Sequence, residues 1–128
     1  MSPQELRLAQ PVLVPVRHPP RLAGGLVGKW SGPAVDVAGL ALAPTFFFAD
    51  DRLERVEYLA SADAGAQAFE ALLAWGRHAW GPELASRGPE GDYATWTSDA
   101  LDVYLQRTAA GQVRLVIKAH LEKDASEL

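Results

Sequence analysis

Three consecutive phenylalanines, Phe46, Phe47 and Phe48, lie in an apolar run from Leu42 that meets Ala49-Asp50-Asp51-Arg52 and then a second, charge-studded run to Leu59. Two β-rich segments across so short a polar break predict a β-hairpin. Adjacent aspartates suit its tip, because aspartate bonds its own backbone and tolerates left-handed geometry. The same pair could hold a metal, but no calcium-loop spacing surrounds it, so the turn reading is preferred. Strict alternation sends Phe47 to the face opposite Phe46 and Phe48. Both faces of the sheet therefore need cover, from an arm or a second subunit, or an apolar patch is left exposed.

After the hairpin, Ser61-Ala62-Asp63 offers a helix N-cap region. From Ala64 to Trp80, the residues Phe69, Leu72, Leu73, Gly76 and Trp80 recur at spacings of three and four, which predicts one amphipathic helix. Gly81-Pro82 stops it. Glu83 to Gly91 reads as a loop. Three strand-like runs follow, at Tyr93 to Thr97, around Leu101, Val103 and Leu105, and around Val113, Leu115 and Ile117, the last two joined by Ala109-Ala110-Gly111. The expected fold is α+β: an antiparallel sheet of about five strands with one amphipathic helix on one face, in the order ββαβββ.

Six of the nine prolines fall in the first 33 residues. That density disfavours helix and central strand alike. Residues 1–25 are therefore expected to form an extended, irregular proline-rich arm, and residues 26–128 a single α+β domain. Leu26 to Trp30 is a candidate strand, and Val35 to Ala43 another with a bend at Gly39. A chain of 128 residues can bury a core without staples.

A net charge of −4 argues against a general nucleic-acid binder, which needs a basic face. With no cysteine, disulfides, thiolate metal sites and a cysteine nucleophile are all removed. No apolar stretch approaches the ~20 residues that span a bilayer. Glu5 and the prolines interrupt the region where a secretory leader would be apolar. The expected location is the cytoplasm, or the periplasm if a signal segment has been removed.

The histidines His18, His78 and His120 have no metal-ligand spacing, and no nucleophile elbow, phosphate-binding glycine loop or zinc motif is present. No catalytic residue, metal ligand or cofactor is assigned, which points away from an enzyme without deciding the matter. Four tryptophans are a more informative excess, since each combines large apolar area with a donor that must be satisfied. Trp80 shares the helix's apolar face, Trp75 lies on its flank, and Trp30 beside Lys29 looks half-exposed.

The succession of Phe48, Asp51, Leu53 and Val56, a helix ending in Trp80-Gly81-Pro82, and then Tyr93-Ala94-Thr95-Trp96 resembles small bacterial domains of the SmpA/OmlA type and of the β-lactamase-inhibitor-like fold. The resemblance implies a strand pair, a helix and a tryptophan-bearing strand, and binding to proteins more than catalysis. It carries over no catalytic residues.

Together these features suggest a non-enzymatic, protein-binding or self-associating module of a bacterial type. Candidate ligand- or partner-binding residues are Trp30, Phe47, Trp75, Tyr93, Trp96, Tyr104 and His120. A homodimer would bury Phe47, Tyr104 and Val116 across a two-fold interface if the monomer leaves them uncovered. The alternative is a small-ligand-binding protein or small enzyme with a cleft between helix and sheet, built from Tyr93, Trp96, Tyr104 or His120.

Overall fold

A computed structural model describes residues 1–61, 65–88, 91–98 and 100–119. It overturns the expected count of about five strands and one helix. Among the described residues, ten strands form one antiparallel sheet, accompanied by two α-helices and a single 3-10 turn at Ala23–Gly25. In chain order the elements are α1 (Pro3–Ala9), β1 (Val14–Pro15), β2 (Arg21–Leu22), β3 (Leu26–Ser31), β4 (Val35–Val37), β5 (Leu40–Ala49), β6 (Arg52–Ala60), α2 (Gly65–Trp80), β7 (Leu84–Gly88), β8 (Gly91–Thr97), β9 (Leu101–Thr108) and β10 (Val113–Ala119). The main strand path is β1-β3-β5-β6-β10-β9-β8-β7, with β2 paired to β3 and β4 paired to β5. The order ββαβββ fails because it omits β1, β2, β3, β4 and β7 and the first helix.

The β5–β6 hairpin forms where the sequence places it. Asp50 and Asp51 both have positive φ, 51° and 59°, which matches the turn to the twist of the flanking strands. Val35 to Ala43 is not one bent strand: the chain reverses through Ala38-Gly39, and β4 pairs back onto β5. Pro44 is tolerated within long β5 because it sits between the ends of two neighbours. On that side β5 pairs with β4 at Leu42 and resumes with β3 at Thr45, so the missing N–H interrupts no continuous ladder. The expected loop before Gly91 contains β7, which pairs with β8 from Leu84 to Gly88.

The first 25 residues are not an irregular arm. Ser2 caps α1 by accepting from the Glu5 amide, while the Glu5 side chain accepts from the Ser2 amide. Pro3 occupies the first helical turn, where its lack of an N–H costs nothing. Leu6 and Leu13 then pack beside Phe48, with Trp30, Phe46 and Leu53 around them. The Trp30 indole donates to the Pro3 carbonyl at 3.1 Å, and the Leu53 amide donates to the Met1 carbonyl.

The main core lies between α2 and the sheet. Ala68, Phe69, Leu72 and Leu73 pack with Leu42, Val103, Leu105, Val113 and Leu115. Gly76 lets Trp96 approach closely: a Cβ there would run into the indole ring. Gly81, at φ 86°, ends the helix, and its carbonyl accepts the Trp96 indole N–H at 2.9 Å. The helix stop thus supplies the acceptor that this buried donor needs.

Candidate functional site

Both helical elements cover the same face of the sheet. Phe46 and Phe48, which border the α1 cluster, point to the same side of β5 as Leu42, which borders α2. The opposite face carries no helix among the described residues. Strand register organises it into three rows that cross the sheet. One contains Asp102, Lys118, Arg55 and Phe47, the next Tyr104, Val116, Glu57 and Thr45, and the third Tyr93, Gln106, Arg114 and Leu59.

A groove of about 380 Å³ lies on this open face, bounded by Tyr93, Tyr104, Gln106, Arg55, Arg114 and Lys118, with Val116 in its lining. A second of about 300 Å³ adjoins it through Arg114 and is lined by Pro20, Leu22, Phe47, Glu57 and Leu59. Together they make a trough from β8 toward β2. Its polar groups bond mostly to one another. Arg114 donates to Gln106 at 2.9 Å and to Glu57 at 3.2 Å. Arg55 reaches the same carboxylate only at 3.6 Å, and its buried Nε has no hydrogen-bond acceptor. The Arg55 guanidinium lies 5.9 Å from the Phe47 ring centroid, and the Lys118 ammonium 5.4 Å from that of Tyr104. Such contacts use the negative face of the ring to hold a cation.

The sequence-derived candidates divide between the faces. Tyr93 and Tyr104 line the trough and are 50% and 38% exposed. Trp96 does not join them: it occupies the opposite parity of β8, is buried, and packs with Trp80 and Gly76. Trp75 makes an edge-on contact with Trp80 at the margin of the helix core. Trp30 belongs to the α1 cluster, with the Arg7 guanidinium 5.1 Å from its ring centroid. Phe47 does face away from the helices but is only 2% exposed. It shares the second groove with Pro20, and Gly28 lies close to both. His120 lies outside the described residues.

The space between α2 and the sheet, where the alternative reading places a cleft, is occupied by the core residues Phe69, Leu72, Leu73, Leu105 and Leu115. Sequence reasoning missed Arg55, Gln106, Arg114 and Lys118. The signal was their alternation with Val56, Leu105, Leu115 and Ile117, which sends them to the face that Tyr104 shares. No cluster of three potential metal ligands occurs among the described residues, and no helix there is long and apolar enough to cross a membrane. In comparisons with protein-family models, curated proteins and solved structures, nothing matches this chain.

Proposed function

We propose that this chain is a non-enzymatic binding module that takes a protein partner on the open face of its sheet. The observation carrying this reading is the placement of exposed Tyr93 and Tyr104 beside Arg55 and Arg114 in a trough on the helix-free face. Tyrosine and arginine are enriched at the energetic centres of interfaces, where rigid rings and planar guanidiniums give contact area at low entropic cost. A trough continued past Arg114 suits an extended segment of chain.

A partner other than a second copy is favoured by the cover of Phe47 and Val116 within the monomer. A two-fold contact centred on this trough would also bring the Arg55, Arg114 and Lys118 cluster close to its own copy.

Peptides displayed on phage test the proposal, selected on the protein and counter-selected on a folded Tyr93→Ala/Tyr104→Ala variant. The expected result is enrichment of sequences that bind the parent and not the variant. Enrichment only of sequences indifferent to the two tyrosines contradicts it, as does no enrichment at all.

A further inference from the structure

We infer that the occupant of the trough is an acidic, extended segment of a partner protein, with carboxylates against Arg114, Lys118 and Arg55 and apolar side chains against the tyrosines and Leu59. The inference rests on the binding function proposed above and specifies the chemistry of the partner.

Charge is the first argument. The chain as a whole carries −4, yet Arg55, Arg114 and Lys118 gather on this one face. Glu57 divides its carboxylate between Arg114 and Arg55 and leaves the Arg55 Nε without an acceptor. Register adds a second argument. Arg55 and Lys118 are directly opposed on β6 and β10, an arrangement of like charges that destabilises a sheet unless something offsets it. Phe47 and Tyr104 offset part of it through their rings, and Asp102 lies opposite Lys118 on β9. A carboxylate laid between the two cations would offset more.

Dimensions are the third argument. Adjacent strands lie about 4.8 Å apart, so the four intervals from β8 to β5 span roughly 19 Å, the reach of about six extended residues. Because this trough crosses the middle of the sheet, the backbone groups beneath it are already paired. Recognition then falls to side chains, and binding is salt-sensitive. Glu57 and Asp102 stand among the cations, which disfavours a continuous phosphate backbone but admits a peptide whose carboxylates alternate with apolar residues.

Fluorescence polarisation with the full chain tests this directly. The probes are a labelled peptide of about eight residues, chosen to span the trough, that alternates glutamate with leucine and tyrosine; its lysine-for-glutamate counterpart; and a single-stranded DNA oligomer of similar length. The glutamate peptide is expected to bind, to weaken as salt rises, and to lose about tenfold or more in affinity, equal to ~1.4 kcal/mol, in Arg114→Gln/Lys118→Gln. Arg77→Gln, on α2 across the sheet, serves as a control and leaves binding unchanged. Circular dichroism confirms that each variant is folded.

No binding of the glutamate peptide, equal binding of the lysine peptide, tighter binding of the DNA, or indifference to the trough substitutions would each overturn the inference. Tyrosine-dependent phage peptides without acidic residues would overturn it while leaving the proposed function standing.

Discussion

The two faces of the sheet are made by the same strands and differ in nearly every physical respect. On the helix face, leucine, valine and phenylalanine alternate inward, and the indole donors of buried Trp96 and half-buried Trp30 find main-chain carbonyls at Gly81 and Pro3. On the open face the intervening positions hold arginine, lysine, glutamate, glutamine and tyrosine around the buried Phe47 and Val116, and the polar groups serve as one another's partners. Apolar burial is the dominant stabilising term in folding, whereas partly exposed ion pairs contribute little. The helix face therefore holds the fold, and the open face is free to be tuned for recognition.

The largest effect expected from this division is at Leu73, 1% exposed in the α2 core. Leu73→Ala should cost ~2 to 5 kcal/mol in chemical denaturation, by lost transfer energy and a residual cavity. A loss well below 1 kcal/mol would break the assignment of this face as the stabilising one. Next is Gly76→Ala. Alanine is the better helix former, but its methyl must displace the Trp96 ring, a rigid group fixed at its far side by Gly81. A net destabilisation of roughly 1 to 3 kcal/mol is expected from overpacking, and a stabilised variant would show that the indole has room to move.

A smaller effect belongs to the α1 end of the same face. Ser2→Ala removes the cap and should cost about 0.5 to 1 kcal/mol, followed by the fluorescence of Trp30. The cap also predicts a pH dependence. Hydrogen bonds from the Ser2 side chain and backbone hold the Glu5 carboxyl below its ordinary value. Its stabilising contribution is therefore present above the usual carboxylate range and is lost as pH falls through the lowered value. Ser2→Ala should flatten that acid response of the Trp30 signal; an unchanged response would assign it to other groups.

Smallest of all is Tyr104→Ala, expected to shift stability by no more than ~0.5 kcal/mol because the ring is 38% exposed and lies outside both core clusters. The same substitution should weaken binding of the glutamate peptide. A large stability loss would merge the two faces into one structural unit.

The division was partly legible in the sequence. Alternation at Leu101, Val103 and Leu105 and at Val113, Leu115 and Ile117, together with the period of α2, announced the covered face. The aspartate turn announced the hairpin. Four features escaped. Proline density concealed α1, although Ser2-Pro3-Gln4-Glu5 is a capping box with proline at a permitted position. Leu84 to Gly88 lacks β-rich character and becomes a strand by pairing with β8. Ala38-Gly39 makes a tight turn that looked like a bend within one strand. Tyr93 and Trp96 are near neighbours in sequence, and only their opposite parity on β8 shows that they serve different faces.

The central claim, that stability resides on one face and recognition on the other, is tested most directly by one titration. In nitrogen-correlated NMR spectra of the full chain, the glutamate peptide should shift the side-chain Nε signals of Arg55 and Arg114 while the indole Nε1 signals of Trp30 and Trp96 hold their positions. Shifts in the indoles without a response from the arginines would place binding on the wrong face and contradict the account.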